Sequence, residues 1–481
     1  MKDNVMEIIE NVLNKINGYV WGIPTIVLIL ATGLILTIRC RGLQFTKLGR
    51  AFKHIFQETK GEGELSGFSA LCTALSATIG TGNIVGVATA IAAGGPGTLF
   101  WMWIAAILGT ATKFAECMLA IKYREVKPDG HVLGGPFYTI EKGMGPKWKW
   151  LAVLFAVFGV LAGLLGIGTM TQINGITSAV NMAFDPNAHH VAFTLFGRDY
   201  TWATVIGGIV VTTCAALVIV GGLQRISKVA AKVVPTMAII YAFLALSALI
   251  MNATKIPMAF AMIFKSAFGW QAVAGGALGW TVKQVTESMQ KGIARGIFSN
   301  EAGLGSAPIA AAPVQTDEPV EQALVNMTGT VIDTLIICTM TGLSIIIALC
   351  DPAFDFASKQ GVELTSAALS HDLGGDGISV QFLLMLCLTF FAFTTILGWN
   401  YYSEKCLEYL TNGNMKIVKV FRILYILTIA IGPYFTVNAV FTIADITNGL
   451  MAIPNCISLI VLSGIVSKEV KSYFDKYPKL R

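Results

Sequence analysis

The chain has 481 residues, 54% of them hydrophobic and 13% charged, with a formal net charge of +6. Soluble proteins carry about 25% charged residues, so half that share leaves too little charged surface for a water-soluble fold of this length, and the mean hydropathy of +0.68 agrees. A disulfide framework or a cysteine zinc site is excluded as well: Cys72, Cys117, Cys214, Cys338, Cys387 and Cys456 lie inside apolar runs and no C-x-x-C pair occurs.

Residues Met1 to Tyr19 mix Asp3, Glu7 and Glu10 with Lys2 and Lys15. The apolar run that follows has spanning length, roughly 19 residues, and no small-residue cleavage site closes it. It reads as a retained first helix. Further spans are predicted near Phe68–Gly94, Thr98–Ile121, Trp150–Ile173, Thr201–Gly222, Val229–Met251, Ala267–Val282, Ala323–Cys350, Val380–Tyr402, Val418–Phe441 and Ile446–Val466, about eleven in all. The expectation is an all-α polytopic membrane protein. About 27 of the 34 Lys and Arg fall in 39–60, 122–149, 225–232, 283–295, 405–422 and 468–481, all on one side of this layout. The positive-inside rule makes that side cytoplasmic. It places the N-terminus outside and the C-terminus inside a cell (inner) membrane.

Two spans carry features that a lipid-facing helix avoids. The second contains SATIGTGNIVGVATAI, in which Gly80, Gly82 and Gly86 surround Thr81 and Asn83. Each glycine disfavours helix by about 1 kcal/mol relative to alanine. Small residues also serve close helix packing, but here a hydroxyl and an amide join three glycines within two turns. Unwound backbone inside a membrane survives only where it lines a cavity or is buried in protein. The N–H end of an opened helix suits a carboxylate and its C=O end suits an ammonium or a sodium ion. The seventh span, WQAVAGGALGWTV, carries Gly275 and Gly276 at a similar depth. Setting aside an N-terminal helix and basic loop (1–66), the broken spans open two blocks of five, 67–255 and 256–481, that run in opposite directions. Each block has a longer insertion, GGPFYTIEKGMG in one and ELTSAALSHDLGG in the other. This layout is an inverted repeat.

The runs ATIGTGNIVGVATAI, GGPGTLFWMWIAAILGTATKFAE, GGPFYTIEKGMG and ARGIFSNEAGLGSAPIAAA resemble the alanine-or-glycine:cation symporter family. The resemblance implies a leucine-transporter-type fold, sodium or sometimes proton coupling, and a small neutral amino acid as cargo. In such a fold the most common sodium site joins the first broken helix to the eighth core helix, which here holds FFAFTTILGWN. Thr394 and Thr395, with Thr78 and Thr81, are then the sodium candidates.

The substrate class also follows from charge. A dicarboxylate calls for a buried Lys or Arg on the broken helices, and a cationic substrate calls for an unpaired acid there; neither is present. A zwitterion can be held by amides around Gly82 and Asn83 and by carbonyls at Thr78–Gly80 and Ala274–Gly276. Gln172 could bond substrate or a neighbouring helix, and Trp280 and Thr281 could form a pocket wall. Ionisable residues inside spans are functional candidates. Lys113 and Glu116, three apart on one helix face, and Asp333 are candidates for gating or coupling. An ion channel would favour pore rings. An enzyme would need a nucleophile–base pair or metal cluster at depth, yet His54, His131, His189, His190 and His371 all lie in loops. No β-strand precedes Gly80, so its G-x-G is no nucleotide loop. Expected partners are a small neutral amino acid, sodium as co-substrate and lipid, with no cofactor and no nucleic acid. Alternatives are proton coupling or glutamine as cargo.

Overall fold

The computed structural model describes the chain except residues 1, 58–60, 129, 196–197, 270–277, 376 and 479–481, and no side chain of residues 2–10 or 278–282. The described residues are almost wholly helical. The helices used below are α1 (Lys2–Val20), α2 (Ile23–Arg39), α3 (Gly67–Thr78), α4 (Val87–Gly94), α5 (Thr98–Lys122), α6 (Lys149–Leu165), α7 (Met170–Phe184), α8 (Trp202–Ile219), α9 (Gly222–Met251), α10 (Ile256–Phe268), α11 (Leu278–Asn300), α12 (Ala307–Ala311), α13 (Pro319–Thr330), α14 (Thr339–Ala348), α15 (Gly361–Leu373), α16 (Gly377–Leu410), α17 (Met415–Ile431) and α18 (Val437–Lys476). Short hairpins, Glu125–Val126 with Val132–Leu133 and Val191–Leu195 with Arg198–Thr201, decorate opposite ends of the bundle.

Local sequence explains the helix starts. Ser66, Thr201 and Thr436 each accept an amide of the first turn, from Ser69, Thr204 and Ala439, as capping hydroxyls do. Apolar composition decides what each helix faces. α8 and α9 expose Ile206, Ile209, Leu217, Phe243 and Ile250, whereas Lys113 and Glu116 on α5 are buried. The molecule is thus greasy outside and polar within, the arrangement that lipid imposes.

Among the described residues, eight helices are long and apolar enough to cross a membrane, or nine if α3 and α4, bent by 48°, form one span. Of the other two of the predicted eleven, one falls on α17, which has 17 residues, and the other, Ala267–Val282, lies half outside the described residues. The first break lies where the glycines place it. α3 ends at Thr78, and the chain re-enters helix through a wide π turn, Gly82–Gly86.

A second broken helix is seen at a place the sequence analysis did not single out. Residues Gly275 and Gly276 lie outside the described residues. Of the predicted span Ala267–Val282, the start belongs to α10, which stops at Phe268 under the left-handed Gly269, the end belongs to α11 from Leu278, and 270–277 lie outside the described residues. The bundle helix is α11 followed by α12, interrupted at 301–306. There Glu301, Gly303 and Gly305 have φ of 58°, 89° and 81°. Its charge hid it from a hydropathy reading. A Cβ at Gly94 would lie 3.2 Å from Ser288, and one at Gly82 would lie 3.1 Å from Phe298. α11 therefore runs alongside the first broken helix, and Lys283, Lys291 and Arg295 leave the loop count on which the charge bias rested.

The loop ends at Arg39, Lys122 and Lys476 share one face, here called the basic face. Lys122 bonds Glu469, Lys476 bonds Glu318 and Glu141 bonds Tyr409 across it. On this face the strand-like residues 64–65, just before α3, pair with 313–315, just after α12: Leu65 N meets Pro313 O at 3.0 Å and Gln315 N meets Leu65 O at 2.7 Å. Arg124 clamps this junction by donating to the carbonyls of Glu62, Ala312, Val314 and Thr316 at 2.6–2.8 Å.

Candidate functional site

The first break frees backbone groups between Thr78 and Gly82, and side chains from three other elements reach them. Gly80 N donates to Asn83 Oδ1 at 2.9 Å, and Thr81 N donates to Gln172 Oε1 at 3.0 Å. Gln172 is aimed by its own Nε2, which bonds the Ile167 carbonyl at 2.8 Å. That carbonyl is available because α6 ends at Leu165 and α7 starts only at Met170. Gly80 sits where no side chain fits: a Cβ there would fall 2.5 Å from Thr395 Oγ1 and 2.9 Å from Gln172 Oε1. The buried Thr81 hydroxyl has no hydrogen-bond partner among the described residues, although a buried hydroxyl normally finds one.

The threonine candidates separate cleanly. Thr395 Oγ1 lies 3.0 Å from Ser76 O and 3.3 Å from Ile79 O across the helix interface, and 3.1 Å from Phe391 O on its own helix. One hydroxyl proton cannot serve three acceptors, so this is a converging set of hard oxygens. Thr394 Oγ1 is turned to its own helix, 3.1 and 3.0 Å from the Phe390 and Phe391 carbonyls. Thr78 instead spends its hydroxyl on Ala74 and Leu75 of its own helix, both at 3.3 Å. This back-bonding to a preceding carbonyl leaves the Thr78 hydroxyl, like that of Thr394, outside the oxygen set expected of it. The carbonyls that replace it belong to Ser76 and Ile79, which carry no side-chain signal for a site.

On the other side of the break, Asn83 Nδ2 donates to Asp333 Oδ1 at 2.7 Å. The second oxygen of Asp333 accepts from Ser299 at 2.7 Å and Thr334 at 2.8 Å. Asp333 is fully buried, lies on the π turn Val331–Cys338 between α13 and α14, and has no ion-pair partner among the described residues. It does not pair with Arg295 or Lys113. Arg295 is bidentate on Asp445 at 2.9 and 3.0 Å, and its guanidinium stacks on Phe298 and Phe441 at 5.3 and 4.9 Å. Lys113 Nζ donates to the last carbonyl of α11, Asn300 O, at 2.7 Å, where a helix end favours a cation.

Below the second break, Glu116 accepts from Gly303 N and Asn455 Nδ2, while Glu301 accepts from Trp399 Nε1 and Ser306. Lys113 and Glu116 thus both serve the break at 301–306 rather than each other. The run NEAGLGS is not among the predicted site residues; its signal is two glycines with an acid between apolar runs. Trp280 and Thr281 begin α11. Phe298, level with Gly82, is about 25 Å further along it at 1.5 Å per residue, so neither residue walls the first break.

A cavity of about 670 Å³ leads to this region from the face opposite the basic one. It runs from Asn187, Arg198 and Lys359 down to Val85, Gly175 and Phe441.

Comparison with known proteins bears on this arrangement. The model of the sodium:alanine symporter family matches residues 6–480. The chain is 43% identical over 470 residues to the sodium/alanine symporter AgcS of Methanococcus maripaludis, covering 96% of this chain and 97% of that one. It is 46% identical to an uncharacterized transporter of Haemophilus influenzae, over 97% of each. It is 36% identical to the probable sodium/glutamine symporter GlnT of Bacillus subtilis, over 98% of this chain and 91% of that one. Among solved structures, the crystal structure of MhsT in complex with L-phenylalanine matches with a TM-score of 0.57 at 13% identity, over 85% of this chain and 98% of that chain. That likeness is one of fold, the leucine-transporter type with two broken helices. The protein is a multi-pass membrane transporter, not an enzyme, and the chain belongs to the sodium:alanine symporter family.

Proposed function

We propose that this transporter carries a small neutral amino acid, alanine or glycine, into the cytoplasm together with sodium, by alternating access. The observation that carries the reading is the oxygen set around Thr395: its hydroxyl and the carbonyls of Ser76, Ile79 and Phe391. Uncharged hydroxyl and carbonyl oxygens are the ligands a hard alkali cation takes. They belong to two helices, so binding the ion fastens the first broken helix to α16.

The amino acid would lie beside Gly80–Asn83. Its carboxylate would take the Thr81 amide, which Gln172 Oε1 otherwise accepts, and the unpartnered Thr81 hydroxyl. Charges close to the break are already committed, Lys113 to a carbonyl and Arg295 to Asp445, which suits a zwitterion over a dicarboxylate. The close walls at Gly80, Gly82 and Gly175 suit a small side chain. The names of the relatives support alanine and leave glutamine as the second cargo. The loop charges support a cytoplasmic basic face, with the N-terminus outside, in the inner membrane. The Arg124 junction then closes the inner side and the 670 Å³ cavity opens outward.

A second reading, proton coupling, is favoured by one observation: Asp333 is fully buried and held by neutral donors alone. The deciding experiment is uptake of a panel of labelled amino acids into proteoliposomes under separately imposed sodium and proton gradients. Sodium-driven alanine or glycine uptake is expected. Uptake driven by protons alone moves the coupling to the second reading, and uptake indifferent to both gradients refutes symport.

A further inference from the structure

At the basic face, far from the first break, the end of α2 and the last turns of α18 enclose a cavity of about 180 Å³. Its floor is apolar, made by Cys40, Leu43, Val470 and Phe474, all buried. Its rim is cationic: Arg39, Arg41, Lys47 and Lys471 line it against a single acid, Asp475. None of these four cations is ion-paired among the described residues. Lysines elsewhere on the same face do find carboxylates, Lys122 on Glu469, Lys142 on Glu125 and Lys149 on Glu141. The cations are also built in. Arg41 is held at φ 55°, Ser467 Oγ donates to the Arg39 carbonyl at 3.0 Å, and Lys47 Nζ sits 5.1 Å over the Phe474 ring. Burial, then the like charge of Arg50, holds the Lys47 ammonium below its ordinary value, so the rim gains from a neighbouring anion.

The surroundings decide what that anion is attached to. Arg39 is the last residue of α2, the level at which a span leaves the hydrocarbon. Leu34 and Ile38 on α2 and Val461 on α18 are exposed below the cavity, and Phe45 is 64% exposed beside it. An apolar seam therefore rises directly to a ring of cations. A free phosphate has no use for the seam or the floor. A phospholipid fits both, with its acyl chains along α2 and α18 and its phosphate among guanidinium groups that suit it. Basic pockets between membrane helices bind anionic headgroups for this reason.

We propose that this cavity is a headgroup site for an anionic phospholipid, which bridges α2 to the C-terminal end of α18. The proposal is independent of which amino acid or ion is carried.

The test is native mass spectrometry of the full chain released from nanodiscs of equal phosphatidylglycerol and phosphatidylcholine. Wild type is expected to keep phosphatidylglycerol in preference. The triple variant Arg39→Gln, Arg41→Gln, Lys471→Gln is expected to keep about tenfold less of it or lower still, since each cation near an anionic headgroup contributes. A control variant, Lys127→Gln, Lys142→Gln, Lys149→Gln, removes as much charge from the same face and is expected to retain wild-type occupancy. Equal losses in the two variants, equal retention of the two lipids, or displacement of the phosphatidylglycerol by excess inorganic phosphate would each overturn the proposal. Should the triple variant unfold in detergent, Lys47→Gln alone carries the same comparison, with a smaller loss expected and no loss overturning it.

Discussion

Asn83 bonds in two directions: its Oδ1 accepts the Gly80 amide at 2.9 Å while its Nδ2 reaches Asp333 Oδ1 at 2.7 Å. One carboxamide thereby couples the opened backbone of the first broken helix to the π turn between α13 and α14. Asp333→Asn keeps the shape but presents an NH₂ to the donors of Asn83, Ser299 and Thr334. A buried donor left without an acceptor costs about 1–3 kcal/mol. We predict at least tenfold slower uptake with normal insertion, measured in proteoliposomes. Wild-type kinetics in this variant would remove Asp333 from the mechanism.

Thr395→Val keeps the volume and deletes the oxygen, whereas Thr395→Ser keeps the oxygen. If the Thr395 set binds sodium, the valine variant should raise the sodium concentration for half-maximal uptake by about tenfold, equivalent to about 1.4 kcal/mol. The serine variant should stay near wild type. Sodium titration of uptake at fixed amino acid separates the two, and equal behaviour of both variants would refute the assignment.

Gly80→Ala pits helix propensity against space. Alanine favours helix by about 1 kcal/mol, yet its Cβ would lie 2.5 Å from Thr395 Oγ1 and 2.9 Å from Gln172 Oε1. Space wins, because both neighbours are themselves held. Binding of labelled alanine, read by scintillation proximity in detergent, is expected to vanish while the protein remains folded. Binding at wild-type strength would show that the break does not border the substrate.

Arg295→Met leaves the Asp445 carboxylate buried without its partner. Removing one member of a buried pair costs about 3–5 kcal/mol, while replacing both can be nearly neutral. Thermal unfolding in detergent should therefore show a large loss for Arg295→Met and substantial recovery in Arg295→Met/Asp445→Leu. A double variant as unstable as the single one would contradict this.

On the face opposite the basic one, burial pushes the Asp372 carboxyl up from 3.8 to about 6, against the pull of His371 beside it. The folded state thus holds a proton that the unfolded chain releases near pH 4. From Asp372 alone, stability falls as pH rises from about 4 to about 6 and is level above that. Asp372→Asn removes this slope. Unfolding midpoints at pH 5 and pH 7.5 should differ less in the variant than in wild type; an equal difference would show that other groups set the slope.

Much of the architecture was legible because lipid makes composition speak plainly. The first break was legible too, since Gly80, Gly82 and Asn83 have no other use inside an apolar run. The break at 301–306 was not legible, for a physical reason. α11 buries Arg295 on Asp445 and exposes Lys283, Glu287 and Lys291, so a helix packed along the first broken helix reads as a loop. The ion candidates split along the same line. A threonine's identity shows that it has a hydroxyl, but not whether its own preceding carbonyl claims it, as at Thr78, or a neighbouring helix does, as at Thr395. Backbone ligands such as the Ser76 carbonyl leave no trace in residue type.

The junction at Arg124 bears on timing. Its guanidinium holds four carbonyls from the segments that precede α3 and follow α12, and those segments are also stitched to each other. Released singly, each acceptor would leave a charged donor bare in a crowded place, so intermediate degrees of parting are disfavoured. The two half-helices behind the junction should therefore move as one splinted lever, and that face should open as a discrete step rather than by gradual widening.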